Sequence, residues 1–145
     1  MEPWQITPWD ELDLVLRLVI AAIMGGLIGY ERQRAEKPAG FRTHLLVCVG
    51  SALFTIVSLH GFGMLSDPSR VAAGVVVGIG FLGAGTILRG GKGIIGLTTA
   101  ATIWAVAAIG LAVGSGLYLP AIATAVIILI ALLSARKVQS LGDPD

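Results

Sequence analysis

The chain has 145 residues, 55% of them hydrophobic and 13% charged, with a formal net charge of +1. A soluble domain carries about 25% charged residues, so the composition excludes an ordinary water-soluble globule and predicts one domain whose solvent is lipid. The near-neutral charge implies no nucleic-acid partner, and the single Cys48 excludes an internal disulfide.

Residues 1–16 carry Glu2, Asp10, Glu11 and Asp13 and no Lys or Arg. A secretory signal begins with a positive segment, so the first apolar run is read as a retained span. Trp4 and Trp9 precede it, at the level where tryptophan anchors a chain in the headgroups. The first predicted span is 12–30. Asp13 and Arg17 lie four apart on one helix face with the acid first, the favourable order for an ion pair. Arg17 either snorkels to the surface or belongs to an ion site inside the membrane. Ala21, Gly25 and Gly29 form a small-residue row that lets another helix approach.

Pro38-Ala39-Gly40 breaks the first polar connection. The second span is 43–59, with His44 and His60 near its ends, read as hydrogen-bonded interface residues. Cys48 inside it is read as a small buried apolar residue. Asp67-Pro68 then looks like a helix start, with the acid at the cap and proline at the first helical position. The third span, 71–88, covers roughly 27 Å at about 1.5 Å per residue, close to the ~30 Å of hydrocarbon. Gly74, Gly78 and Gly85 fall on one of its faces, and Gly80, Gly83 and Ala84 on another. Two close neighbours follow, so this helix is expected at the bundle centre.

Residues 78–83 match G-x-G-x-x-G, but a dinucleotide fold needs a preceding strand and a later acid. No Asp or Glu lies between Asp67 and Asp143, so the nucleotide reading is rejected. The turn at 89–93 is not a P-loop either, because Gly93 stands where Ser or Thr must follow the lysine. The fourth span is 94–113. Thr98, Thr99 and Thr102 cluster on one side of it, bonding their own helix or lining a polar pathway. Gly110 and Gly114 continue a small-residue row. The fifth span, 117–135, has no such row and is expected to face lipid.

Arg32, Arg34, Lys37, Arg42, Arg89, Lys92, Arg136 and Lys137 fall on one side of this five-span bundle, with Arg70 opposite. Positive residues mark the cytoplasmic side. The reading is therefore an all-α integral membrane protein with the N-terminus outside and the C-terminus cytoplasmic.

Residues 31–54 (ERQRAEKPAGFRTHLLVCVGSALF), 67–91 (DPSRVAAGVVVGIGFLGAGTILRGG) and 96–118 (GLTTAATIWAVAAIGLAVGSGLY) resemble the signature blocks of the MgtC/SapB membrane proteins. The combination of GIGFLGAG with GLTTAATIW carries most of the specificity. The resemblance implies a bacterial inner-membrane protein tied to magnesium homeostasis and growth in low magnesium. Some members act in virulence and restrain ATP synthase. Glu31, Arg34 and Arg42 match the first block, Asp67 and Arg70 the second, and Thr98, Thr99 and Trp104 the third. Gly74 and Val77 depart from it, standing where the family carries polar side chains. The likeness is to a short form without the soluble domain that many members add.

The expected function is non-enzymatic: a membrane regulator that binds another membrane complex, with ATP synthase as the partner the resemblance suggests. The glycine faces also suggest a homo-oligomer. The alternative is a transporter or channel for magnesium, the one cofactor or substrate implied. Magnesium takes oxygen ligands, usually with carboxylates, and Asp67 is the candidate ligand. Trp104, near mid-span, is expected in the core.

Overall fold

The computed structural model describes residues 8–62, 67–90 and 93–141, and side chains over 10–62, 67–88 and 93–134. Trp4 and the side chains of Trp9, Arg89, Lys92, Arg136 and Lys137 lie outside them. The order is α1 (Pro8–Arg34), α2 (Phe41–His60), α3 (Ser69–Ala84), β1 (Leu88–Gly90), β2 (Gly93–Ile95), α4 (Leu97–Gly114) and α5 (Tyr118–Leu141). Among the described residues the protein is mainly helical, with five helices. Three of them are long and apolar enough to cross a membrane: Asp10–Arg34, Phe41–His60 and Leu97–Gly114. Ser69–Ala84 and Tyr118–Ser134 are apolar but shorter.

The third and fourth predicted spans are trimmed where they face each other. α3 stops at Ala84 and α4 starts at Leu97, because residues between them form a small antiparallel hairpin. Leu88 pairs with Ile95, Arg89 with Ile94 and Gly90 with Gly93. Two local features cause this. The Thr86 hydroxyl donates back to the Gly83 carbonyl at 2.8 Å, turning the chain out of α3. Gly96 sits at φ 93°, left-handed backbone that glycine adopts without cost. A Cβ there would collide with the Thr86 carbonyl, so the hairpin closes only on glycine.

The core is made of small and β-branched side chains. Ala21, Ile28, Cys48, Ala52, Val106, Ile109, Val113 and Ala121 are essentially inaccessible. Cys48 is a free thiol within it. α4 packs against all four other helices, while α3 rests mainly on α4.

This overturns the central placement of the third helix. Among the residues of α3 only Gly83 is buried, and a Cβ on it would meet Ala100 at an ordinary 3.6 Å. A Cβ on Gly74, Gly78 or Gly80 would meet nothing within 4 Å, and Gly85 sits in the turn after α3 beside its own Leu82 and Phe81 carbonyls. The close approaches are made elsewhere. A Cβ on Gly25 would stand 2.6 Å from Cys48 Cβ, and one on Gly29 2.8 Å from Phe41 Cα. On α4, a Cβ on Gly110 would strike the Cys48 carbonyl, and one on Gly114 would lie 2.6 Å from the Ala52 carbonyl. The glycines of α1 and α4 thus clasp α2 from two sides. A glycine permits close approach, but only a neighbour makes it a contact.

Trp104 is a second correction. It is half exposed on the outer side of α4 and is not a core residue. α5 presents Leu119, Ile127 and Ile130 outward.

Candidate functional site

Three features carry polar chemistry or open space. The first is at the end of the bundle where α1, α2 and α4 meet. Glu31 and Arg32, at the end of α1, are 7% and 5% exposed and lie 3.9 Å apart as an ion pair. His44 is fully buried. Its Nδ1 donates to the Gly40 carbonyl at 2.9 Å, since a carbonyl only accepts, and its Nε2 lies 3.3 Å from Thr102 Oγ1. The Thr102 hydroxyl is also 2.8 Å from the Thr99 carbonyl. Burial of His44 and Thr102 is tolerated because hydrogen bonds offset their desolvation.

Of the sequence candidates, Glu31 and Thr99 belong to this cluster. Arg34, Arg42, Thr98 and Trp104 are exposed and stand outside it. Arg32, His44 and Thr102 were missed as site residues. Spacing alone uses Arg32 only for orientation and takes His44 as an interface residue. The useful signal is that Glu31-Arg32 continues the Ala21-Gly25-Gly29 helix onto the buried face rather than into solvent.

The second feature is at the opposite end. Arg17 donates through Nε to Asp13 Oδ2 at 2.8 Å and pairs with it through a second nitrogen at 2.6 Å. Its remaining nitrogen donates to the Gly114 carbonyl at 2.9 Å. Tyr118 Oη donates weakly to Asp13 Oδ1 at 3.5 Å. The expected ion pair is present, and it does more than pair. The guanidinium sits on the C-terminus of α4, where the helix dipole and its last carbonyls favour a cation. Arg17 therefore ties α1 to the α4–α5 turn.

The third feature is a groove of about 680 Å³ between α2 and α3, lined by Leu46, Gly50, Phe54, Gly74 and Gly78 among others. The side chains around it are almost wholly apolar.

Asp67 belongs to none of these. It is exposed, and its Oδ1 accepts from the Ser69 amide at 2.9 Å and the Ser69 hydroxyl at 2.7 Å. The Ser69 hydrogen bonds, then Arg70, hold its carboxyl below the ordinary carboxylate range. Ser58 Oγ donates to the Pro68 carbonyl at 3.0 Å and pins the same turn to α2. Asp67 thus stands one residue earlier than expected: Pro68 is the N-cap of α3, which begins at Ser69, and Asp67 braces that turn through Ser69. Among the described residues no group of three or more His, Cys, Asp or Glu side chains assembles that could hold a metal. A lowered carboxylate pKa stabilises the fold above the unfolded value, about 3.9 for Asp, and that contribution is lost as pH falls through the folded value. Amide exchange at Ser69 should accordingly quicken below about pH 4 in the wild type. In Asp67→Asn, which keeps an acceptor oxygen without a titrating charge, exchange should show no such step. An identical acid step in both proteins would show that Asp67 does not brace this turn.

No solved structure matches the chain. Relatives of known sequence do. The chain is 56% identical over 113 residues to the Escherichia coli (strain K12) protein named "Putative magnesium transporter YhiD", covering 73% of this chain and 53% of that one. It is 42% identical over 135 residues to Protein SapB of Bacillus subtilis, covering 88% of this chain and 56% of SapB. It is 45% identical over 123 residues to Protein MgtC of Salmonella typhimurium (strain LT2), covering 85% of this chain and 52% of MgtC. The chain spans about half the length of the curated relatives it matches. The family model for the MgtC family matches residues 18–141. With that match over most of its length, and with relatives at this identity, the chain belongs to the MgtC family.

Proposed function

We propose that this protein crosses the bacterial inner membrane five times and regulates another membrane complex by binding it, as part of adaptation to low magnesium. In this reading α3 and α5 also span, the N-terminus is outside, and the basic connections lie in the cytoplasm. α3 supplies about 24 Å at ~1.5 Å per residue, and its hairpin adds the remaining depth toward ~30 Å. The magnesium link is supported by the name of YhiD and by membership of the family. We propose the protein as non-enzymatic.

The observation that carries partner binding is the groove between α2 and α3. Its α3 wall runs from Val71 to Leu82 and includes Gly74 and Gly78, whose Cβ positions open onto empty space. The neighbouring Val77 and Phe81 are 75% and 81% exposed. Helices associate in lipid through close packing against small residues. An apolar trough with a glycine wall three helical turns long fits one transmembrane helix of a partner protein. The partner expected from the family is ATP synthase; a second copy of this chain is the competing occupant.

The test is Gly78→Leu, whose Cβ meets nothing within 4 Å and whose side chain enters the trough. A tagged wild-type chain should bring down a membrane complex from gently solubilised membranes, and the variant should lose at least about tenfold of it, corresponding to ~1.4 kcal/mol. Retained capture by the variant would refute the groove. Magnesium flux into vesicles holding the purified chain alone, saturable and lost on Gly78→Leu, would replace the regulator by a transporter. Native mass showing oligomers that dissociate in the variant would assign the groove to a second copy.

A further inference from the structure

The groove between α2 and α3 has one polar point. Among the described residues that line it, Ser51 alone carries a polar side chain. It is 3% exposed. On one side it backs onto α4, where a Cβ on Gly110 would lie 2.8 Å from Ser51 Cβ. On the other it borders the groove. A helical serine can settle its hydroxyl on the carbonyl four residues back. Thr55 does so one turn later, donating to the Ser51 carbonyl at 2.9 Å, and Ser58 donates to the Pro68 carbonyl at 3.0 Å. The Ser51 hydroxyl makes no hydrogen bond with any described residue.

Depth decides what can reach it. At ~1.5 Å per residue, Ser51 lies about 15 Å from Phe41 and about 14 Å from His60, the two ends of α2. With α2 across ~30 Å of hydrocarbon, that is the middle of the membrane. The ester and headgroup atoms of a lipid lie near the two surfaces, and an acyl chain has neither donor nor acceptor. Lipid in the groove therefore leaves the hydroxyl unpaired, and burying a polar group without a hydrogen bond is costly. A polypeptide helix, in contrast, can carry a polar side chain to any depth. The Ser58–Pro68 hydrogen bond sets the register of the two walls. Counted from it, Ser51 stands about 11 Å along α2, and Gly74 and Gly78 about 9 Å and 15 Å along α3. The hydroxyl is thus level with the stretch where the glycine wall leaves room for a helix to come close.

We infer that Ser51 is the specificity-determining residue of the groove, selecting a transmembrane helix that brings one hydrogen-bonding side chain, such as Asn, to mid-membrane. This rests on the reading of the groove as the seat of a partner helix. The apolar walls accept any apolar helix, because lipid and leucine are equally apolar. One bond at a fixed depth sets both the register and the identity of the occupant. With the groove empty, the hydroxyl can turn back onto the Val47 carbonyl. The gain on binding is therefore the modest one of an interhelical bond in lipid, about threefold in affinity.

The test uses the full chain with a donor dye at its C-terminus, in vesicles of phosphatidylethanolamine and phosphatidylglycerol. The probes are acceptor-labelled transmembrane peptides of Leu and Ala, about 20 residues long: one wholly apolar, one with Asn at its centre and one with Asn a turn from its end. By energy transfer, wild type should bind the centre-Asn peptide about threefold tighter than the other two. Ser51→Ala should bind all three alike, at the wild type's affinity for the apolar peptide, and should unfold at the wild-type temperature. Asn also drives the peptides to self-associate, but equally beside either protein, so the ratio between proteins is what is read. Equal binding of the centre-Asn and apolar peptides by wild type overturns the inference. So does an equal preference for the end-Asn peptide, or a preference that survives Ser51→Ala. In those cases the groove stands as a helix seat as long as Gly78→Leu weakens every peptide. Binding by Gly78→Leu as tight as by wild type, or no peptide binding at all, refutes the groove and the inference with it. If labelled copies of the chain associate through the groove and exclude every peptide, the occupant is a second copy, and the inference falls with the partner reading.

Discussion

Gly110→Ala should unfold the bundle more readily than Gly78→Leu, although it adds one methyl group against four carbons. The added methyl at position 110 strikes the Cys48 carbonyl and lies 2.8 Å from Ser51 Cβ. The obstacle is helix backbone, which cannot rotate aside as a flexible side chain can. α4 must move off α2, and with it the contacts of Val106, Ile109 and Val113 in the common core. Overpacking of this kind costs about 1–3 kcal/mol, and more where backbone is forced apart. Thermal unfolding in detergent should fall by roughly 6–12 °C for a loss of ~3 kcal/mol in a chain of this size. Gly25→Ala, aimed at Cys48 Cβ and the His44 carbonyl at 2.6 and 2.7 Å, should behave alike. Gly78→Leu enters open space and should leave the free chain's unfolding temperature within about 2 °C of wild type, as a surface change does. Equal losses at positions 78 and 110 would return α3 to the centre and remove α4 from it.

Arg17→Leu should be the most damaging single change of a charged residue. It leaves the Gly114 carbonyl without its side-chain donor and Asp13 without its cation at one stroke. Hydrogen bonds to charged groups contribute about 1.5–3 kcal/mol each. Asp13 is nearly half exposed, so its share is discounted for screening. A net loss of roughly 2–3 kcal/mol remains. Arg17→Lys keeps the charge but not the fork that reaches Asp13 and Gly114 together, and should recover only part of it. The readout is reversible unfolding in mixed micelles, with Asp13→Asn as the partner variant. If Arg17→Leu and Asp13→Asn cost the same, the Gly114 carbonyl contributes nothing and Arg17 is only a paired surface charge.

The two variants draw on different parts of what a sequence can reveal. Asp13 and Arg17 are four residues apart, and helical spacing alone puts them together. The same local logic marks the apolar helices, the break at Pro38-Ala39-Gly40 and the Asp67 turn. It also places Ala21, Gly25 and Gly29 in one row. The lipid-like composition and the signature blocks identify the family before any coordinate is known. These are properties of short stretches, so they survive without knowledge of the neighbours.

What the tertiary structure alone decided is which face meets which. Gly114 lies 97 residues from Arg17, and Thr102 lies 58 from His44. No periodicity connects such pairs, because each depends on the rotation of two helices about their own axes. The same ignorance made α3 look central. Its glycines permit contact on two sides, whereas the rows of α1 and α4 actually have α2 against them. Hydropathy could not separate these helices, since lipid and a packed neighbour are equally apolar. The span ends at 88 and 94 shifted for a related reason: the hairpin between them is closed by the long-range fit of Gly96 against Thr86. Composition and local spacing determined the apolar helices, and the resemblance of the signature blocks pointed to the MgtC family. Packing decided that α4 is the hub of the bundle, that α3 is left open at a groove, and that His44 is held between α2 and α4 by the Thr102 hydroxyl.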